Sequence, residues 1–463
     1  MIELGLERIS KLLSTTALSW RAVHVAGTNG KGTVCHLTSA LLNAYNHSSY
    51  RECRSLPPIK HARFTSPHLV DRWDGIAFSD ANRPAMNTVH KGLFLERESA
   101  VKTFDKVHNI NATEFELLTA TAFQLFDQEA VDVAVVEVGL GGRLDSTNVI
   151  GEPVSGSTET KLIRRRFNPA KWRARPLITA ITQIGLDHQA MLGKTREEIA
   201  LQKAGIMKPG VPVTWAADEE LDSLFRTRAK ELNAPVVTHK DLPIESIDLD
   251  SPAARRINGE LAITSSWTAL SGLGRFPEPE EARQPGSSLN SLMRDWHDIV
   301  QGYVFPGRQE IISLEPITGR PRKALLDGAH NEDGIASLEE NIASRLRSQG
   351  GPIVWVVALS ESPDRQPDKM LKPLVQPGDH LIAVEFGPVD GMAWVTPKQG
   401  NSIVEAALRL VPDIEARTFG SDINAALQSA CQLADSIGGH VAICGSLYLA
   451  GDVHRILREA KQI

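Results

Sequence analysis

A glycine-rich loop near the start of the chain separates two apolar stretches of different periodicity. Residues 22–26 form a continuous apolar run, residues 27–33 read GTNGKGT, and residues 34–42 carry apolar side chains at helical spacing. This order predicts a buried strand, a tight loop and a helix. Several backbone N–H groups and the helix N-terminus then surround one point, an arrangement that binds phosphate. We therefore expect an α/β protein with a phosphate site at the end of a strand.

The loop is shorter than the standard phosphate loop, G-x-x-x-x-G-K-[ST]. Two residues, Thr28 and Asn29, separate the first glycine from the Gly-Lys pair, and Gly32 is inserted before the threonine. The Lys31 ammonium is placed to reach terminal phosphates, and the Thr33 hydroxyl to bind a magnesium ion. The short form indicates a subset of nucleotide enzymes. A glycine-rich turn without a ligand is the less favoured interpretation.

Composition narrows the class of protein and excludes some partners. At 463 residues the chain is too long for one core, so about two or three domains are expected. A formal net charge of −6 gives no general attraction to nucleic acid or to an anionic membrane. The four cysteines lack metal-binding spacing, and no apolar run is long enough for a membrane span. We expect a cytoplasmic protein, with mitochondria as the alternative, that binds neither nucleic acid nor membrane.

Apolar runs and capped helices continue the α/β pattern along the chain. The runs at 131–138 and 177–184 predict strands buried on both faces of a parallel sheet. Capping boxes at 113–116 and 195–198 each predict the start of a helix. Beyond residue 307 a second α/β unit is predicted, with strands at 323–327, 353–359, 380–384 and 440–444 and helices at 333–346 and 447–461.

Polar residues at predicted strand ends and on one helix are candidates for chemistry. Glu137 ends a strand before a glycine-rich segment, where it could hold Mg²⁺ or be a solvated acid. His188 could ligate a second metal or orient a substrate carboxylate, although a lone histidine is more often structural. Lys203 lies on a capped helix, either at the surface or turned towards the site. Asp327 could bind ribose and Arg308 phosphate, although Asp-Gly is also a common turn.

These segments together resemble the folylpolyglutamate synthase and dihydrofolate synthase family, which is related to the Mur ligases. The matching motifs occur in family order over nearly the whole chain, at residues 26–33, 64–69, 137–143, 185–188, 202–206, 306–308, 327–331 and 445–449. The resemblance implies an α/β fold with an N-terminal P-loop, Mur-ligase-like ATPase domain at 1–305, built on a parallel sheet. It also implies a smaller Rossmann-like glutamate-ligase domain at 306–463.

The resemblance also implies the cofactors and the residues that bind them. ATP is expected to contact Thr28, Asn29, Gly30, Lys31, Gly32, Thr33, Arg308, Asp327 and His330. Magnesium is expected on Ser66, Glu137 and His188, and a monovalent cation is left open. Catalytic roles fall to Lys31, His188, Lys203 and Arg308. The lysine that matches Lys203 is often carbamoylated in relatives, and the resulting anion can help to hold a second magnesium ion.

The implied reaction is amide ligation by a monomer. A pterin carboxylate attacks the γ-phosphate of ATP, and the amine of L-glutamate then displaces phosphate from the acyl phosphate. Segments 2–9 and 386–395 resemble the fungal dihydrofolate synthases, which use 7,8-dihydropteroate. Folylpolyglutamate synthase, which extends reduced folates, is the first alternative. An inert nucleotide-binding paralogue is the second, and a Mur-type ligase acting on a muropeptide is the third.

Some segments depart from the family pattern. A G-x-H-Q-x-x-N-A-like stretch, whose asparagine contacts adenine, usually precedes the P-G-R motif, but residues 270–293 lack it and Asn290 is a poor substitute. This absence favours the inert alternative. The stretch before Arg63 also looks longer than the pattern requires. The basic run 151–176 is interpreted as a solvated loop, and residues 243–290 as weakly patterned and partly flexible.

Overall fold

The computed structural model describes residues 4–80, 83–152, 173–242, 253–276, 288–362 and 365–461. The chain divides into two compact units. The first comprises Met1–His68 and Trp73–Tyr303, and the second Leu69–Arg72 and Val304–Ile463. No helix within the described ranges is long and apolar enough to cross a membrane.

The described part of the first unit holds a seven-stranded sheet in the order β4-β3-β2-β5-β1-β6-β7. Its strands are β1 Arg21–Ala26, β2 His61–Phe64, β3 Ile76–Asp80, β4 Arg83–Thr88, β5 Val133–Glu137, β6 Ile178–Ile181 and β7 Val213–Trp215. The strands β2, β5, β1, β6 and β7 are parallel, as predicted. The antiparallel edge of β3 and β4 was not predicted, because these short strands carry no continuous apolar run.

Helices cover both faces of this sheet. They are α1 Glu7–Leu12, α2 Lys31–Asn46, α3 Ser49–Cys53, α4 Lys91–Val107, α5 Glu114–Gln128, α6 Gln189–Leu192, α7 Arg196–Lys203, α8 Asp222–Glu231, α9 Ala253–Gly272 and α10 Ser288–Gly302. Both predicted capping boxes are formed, at the starts of α5 and α7. Alternate residues of β5 enter the two cores, with Val133 and Val135 towards α2 and Ala134 and Val136 towards α5. The predicted doubly buried strand is therefore confirmed.

Two expectations about connecting segments were wrong where the structure describes them. Residues 253–272 form the long helix α9, whose polar positions had hidden its helical pattern. In the basic run, Arg173 is fully buried rather than solvated, and its guanidinium donates to the carbonyl of Leu13 over 3.4 Å. Residues 153–172, 243–252 and 277–287 lie outside the described ranges, and so do the expectations that concern them.

The described part of the second unit holds a six-stranded sheet in the order β12-β11-β10-β13-β9-β8. Its strands are β8 Glu310–Ser313, β9 Lys323–Leu326, β10 Ile353–Val357, β11 His380–Ala383, β12 Glu415–Thr418 and β13 His440–Cys444. Its helices are α11 Glu315–Thr318, α12 Glu332–Arg345, α13 Pro367–Leu371, α14 Gly400–Leu410, α15 Ile423–Ile437 and α16 Leu447–Ala460. Only β8 runs antiparallel to its neighbour among these strands, so the α/β fold class is confirmed for this unit too.

Candidate active site

The phosphate loop connects β1 to α2 and has little room to move. Gly30 is the N-cap of α2 with φ 89°, a left-handed conformation that favours glycine. A Cβ at this position would overlap the side chain of Asn258 on α9. The backbone N–H of Thr28 donates to the carbonyl of Gln183 over 2.8 Å, which ties the loop to the end of β6. The loop therefore packs closely against α9 and the end of β6.

The N-terminus of α2 is available to an anion. The first turn of α2, all of it described, carries no acidic side chain. Lys31 is the first residue of this helix, and its ammonium donates to the carbonyl of Thr28 over 3.1 Å. The lysine is therefore folded back over the loop, close to the free N–H groups of the helix. Both features stabilise negative charge at this point.

Glu137 and Ser66 come together at one edge of the sheet. They follow neighbouring parallel strands, since β2 pairs with β5 and Phe64 lies opposite Val136. The backbone N–H of Ser66 donates to Glu137 Oε2 over 3.1 Å, and the glutamate side chain is buried. Carboxylate and hydroxyl oxygens are hard ligands of the kind that Mg²⁺ prefers, so the donor chemistry of this pair fits magnesium.

His188 lies at the start of α6 in a left-handed conformation, with φ 52°. Its side chain is about half exposed, and its Nε2 lies 3.8 Å from Asp187 Oδ2. Across the described ranges, no three His, Cys, Asp or Glu side chains are grouped as a metal site. Membership of His188 in the predicted set with Ser66 and Glu137 therefore stays a prediction.

Lys203 is turned inward, so the surface interpretation of this residue is wrong. It ends α7 with its side chain 4% exposed, and its ammonium donates to the carbonyl of Gly27 over 2.7 Å. Burial, followed by repulsion from the Lys31 cation, lowers the pKa of the Lys203 ammonium to about 7. A large fraction of this lysine is therefore a neutral amine near pH 7.

The second glycine-rich segment positions α7. A Cβ at Gly142 would lie 2.8 Å from the carbonyl oxygen of Gln202 and 2.9 Å from that of Lys203. The backbone N–H of Arg143 donates to the same Gln202 carbonyl over 2.8 Å. At Gly142 the absent side chain allows close approach of α7, and Lys203 is thereby fixed beside the phosphate loop.

Sequence reasoning missed Asn258. This side chain of α9 is 8% exposed and lies against Gly30 of the phosphate loop. Its Oδ1 has no hydrogen-bond partner among the described residues. The signal was an asparagine followed by a small residue, Asn258-Gly259, which lies before the segment 270–293. Because Asn258 lies against the loop, it replaces Asn290 as the candidate for the adenine contact, and this contact stays a prediction.

The second unit places three predicted residues around the end of β9. Asp327 is buried and accepts from the backbone N–H groups of Gln309, over 2.8 Å, and Ala329, over 2.7 Å. Burial raises the pKa of the Asp327 carboxyl, although the Arg308 cation and these two donors oppose the shift. His330 is fixed by a 2.7 Å contact between Nδ1 and the carbonyl of Gly328. Arg308, Asp327 and His330 thus share one end of the strand.

Comparison with known proteins gives consistent results along the chain. A family model described as the dihydrofolate synthetase C-terminal domain matches residues 310–457. A probable dihydrofolate synthetase of Schizosaccharomyces pombe is 32% identical over 99% of both chains. The dihydrofolate synthetase of Saccharomyces cerevisiae is 32% identical over 98% of both chains.

The fold also matches a solved structure over its whole length. A bifunctional folylpolyglutamate synthase/dihydrofolate synthase from Yersinia pestis, complexed with AMPPNP and Mn ion, is 25% identical to this chain. The two superpose with a TM-score of 0.67 over 99% of this chain and 94% of that one.

Proposed function

Because the chain belongs to the family of dihydrofolate and folylpolyglutamate synthases, we propose that it is an ATP-dependent ligase that joins L-glutamate to 7,8-dihydropteroate. The observation that carries this proposal is the match, at 32% identity and over at least 98% of both chains, to two yeast dihydrofolate synthetases. The buried Glu137–Ser66 pair and the acid-free start of α2 supply the chemistry that phosphoryl transfer needs.

Each unit contains candidate residues for nucleotide contacts. Residues 28–33 form the phosphate-binding loop, in which the N–H groups at the N-terminus of α2 and the Lys31 ammonium bind the phosphates. The carboxamide of Asn258, whose Oδ1 has no partner among the described residues, is the candidate contact for the base. Within the second unit, Arg308, Asp327 and His330 are the candidate ATP contacts: Arg308 would neutralise phosphate charge and the buried Asp327 would accept from ribose.

Ser66, Glu137 and His188 would hold magnesium, which would neutralise the polyphosphate charge. The buried Glu137 keeps its oxygen directed at the Ser66 end of the sheet through the 3.1 Å hydrogen bond. The Yersinia pestis relative contains Mn ion together with AMPPNP. We assign no residues to a monovalent cation.

Side chains and helix ends of the protein lower the repulsion between the two anions that react. The substrate carboxylate must approach the γ-phosphate, and Lys31 and the N-terminus of α2 offset their repulsion. The amine of L-glutamate then attacks the acyl phosphate and releases phosphate. Lys203, with a pKa of about 7, is neutral often enough to react with carbon dioxide and become a carbamate. His188 completes the set of catalytic residues.

We assign residues 1–305 to the ATP-binding domain and 306–463 to the glutamate-ligase domain, and we propose a cytoplasmic monomer. Phosphate release from ATP tests the function, and it should require both L-glutamate and 7,8-dihydropteroate. Turnover with tetrahydrofolate alone as acceptor would instead support a folylpolyglutamate synthase. ATP binding without turnover on any acceptor would support the inert paralogue.

A further inference from the structure

Arg63 is a buried cation whose Nε has no hydrogen-bonding partner among the described residues. It lies on β2 with 7% of its surface exposed. Its Nε is fully buried and makes no hydrogen bond, and within the described ranges the guanidinium forms no ion pair. An arginine in this state is unfavourable, because a charge taken from water is normally compensated by a hydrogen-bonded counter-ion.

Strand register places Arg63 near the proposed metal ligands. Ala62 and Phe64 pack in the core beside α5, so Arg63 between them faces α2. Its partner in β5 is Val135, and Glu137 lies two residues further along on the same face. The two side chains are thus diagonal neighbours, about 7–8 Å apart at Cα, which a guanidinium can span.

The remaining neighbours of Arg63 are neutral. Burial raises the pKa of the Cys35 thiol well above its usual value and also raises that of the Tyr303 hydroxyl. Burial, followed by repulsion from Arg63, lowers the pKa of His36 well below its usual value. The His36 ring is held by a 3.0 Å contact between its Nδ1 and the Tyr303 hydroxyl. Glu137 is the formal negative charge that acts on Arg63 in this cluster.

Binding of a metal ion at Glu137 would make the charge around Arg63 more positive. If Glu137 binds a divalent cation, its negative charge is no longer available to Arg63. The positive charges of Arg63, Lys31 and the cation would then need an anionic ligand to offset them. In the proposed function the phosphates of ATP bind at the start of α2, where the Lys31 ammonium lies over the loop. The second anion of the reaction, the substrate carboxylate, needs its own cationic contact close to Glu137 and away from the loop.

We propose that Arg63 binds the carboxylate of the aryl-acid substrate and presents it to the phosphoryl group beside Glu137. This inference rests on the proposed function, since it names the contact made by the reacting carboxylate. It predicts selectivity for an ionised acid over a neutral analogue of the same shape. Charge-assisted, hydrogen-bonded contacts of this kind change affinity by roughly 10- to 100-fold.

The test removes the positive charge of Arg63 by mutation and the negative charge of the substrate by replacing its carboxylate with a carboxamide. Equilibrium binding of 7,8-dihydropteroate and of its carboxamide is measured with AMPPNP and Mg²⁺ present and L-glutamate absent. Wild type should prefer the carboxylate by about 10-fold or more, and Arg63→Met should remove that preference. Arg63→Lys should keep part of it. Arg256→Met is the matched control, because Arg256 is an exposed arginine of the same unit.

Two further measurements separate carboxylate binding by Arg63 from a role in nucleotide or metal binding. They are the affinity for AMPPNP and the affinity for Mn²⁺, the latter followed by electron paramagnetic resonance. Both should change little in Arg63→Met. A carboxylate preference that survives in Arg63→Met overturns the inference, as does a parallel loss of nucleotide or metal binding. If Arg63→Met does not fold, Arg63→Gln replaces it in the same comparison. Wild type that neither binds nor turns over dihydropteroate refutes the proposed function itself.

Discussion

Lys203 should make the free energy of unfolding of this protein depend on pH. Replacing Lys203 with methionine should remove that pH dependence. Burial, followed by repulsion from Lys31, lowers the pKa of its ammonium from 10.5 to about 7 in the folded state. The unfolded chain keeps the ordinary value, so the unfolded state binds the proton more tightly. Below pH 7 both states are protonated and the fold carries the whole penalty. As pH rises from 7 towards 10.5 the penalty disappears.

The magnitude follows from the size of the pKa difference. A shift of about 3.5 units corresponds to a full penalty of about 5 kcal/mol. Two-state linkage gives about 5 kcal/mol at pH 6 and about 2 kcal/mol at pH 9, so roughly 3 kcal/mol should be recovered between them. In Lys203→Met that pH-dependent term is absent. Stability of wild type relative to the variant should therefore rise by that amount from pH 6 to pH 9.

Urea unfolding of both proteins at pH 6, 7, 8 and 9, in buffer freed of carbon dioxide, measures this difference. Carbon dioxide is removed because a carbamate on Lys203 would replace the titrating amine. Lys230→Met is the control, since Lys230 is exposed on α8. Parallel curves for wild type and Lys203→Met would show that Lys203 keeps an ordinary pKa, and the argument from its burial would be wrong.

Three further changes test the loop and the metal ligands. Lys31→Ala should lower kcat by about 100-fold or more, since it removes charge stabilisation worth about 3 kcal/mol; near-normal phosphate release would contradict its role. Gly30→Ala should cost about 1–2 kcal/mol in urea unfolding and weaken AMPPNP binding, because the residue has φ 89° and the added methyl meets Asn258. Glu137→Gln should weaken Mn²⁺ binding to the AMPPNP complex by at least about tenfold, and unchanged paramagnetic resonance spectra would remove Glu137 from the metal site.

Elements with strong local signals were predicted from the sequence. The apolar run that ends at Glu137 is a strand, and Thr113 and Thr195 each begin a capped helix. In the second unit, the strand before Asp327 and the helix that begins at Glu332 agree with their predicted positions. Such elements depend on residues within one or two turns of the chain, so periodicity and caps are sufficient to locate them.

Elements whose stability comes from distant contacts were missed. The helix that carries Asn258 has polar residues on its buried face, including Thr264, Ser265 and Ser266, and its periodicity is therefore weak. Thr264 and Ser266 donate their hydroxyls to the carbonyls four residues earlier, which lets them be buried in a helix. The edge strands depend on pairing rather than on a pattern of their own, since β3 pairs with β2 and β4 pairs with β3.

The sequence by itself determined the phosphate loop, the α/β class and the family to which the chain belongs, because these are written in contiguous residues. Only the tertiary structure decided that Lys203 is buried against Gly27, that the Ser66 N–H donates to Glu137, and that the Arg63 Nε is enclosed with no hydrogen-bonding partner in the described part of the chain. Each of these facts depends on which strands lie side by side and on their register. Neighbouring strands determine how deeply a side chain is buried. Burial in turn lowers the pKa of the Lys203 amine and leaves the Arg63 guanidinium in need of an anion.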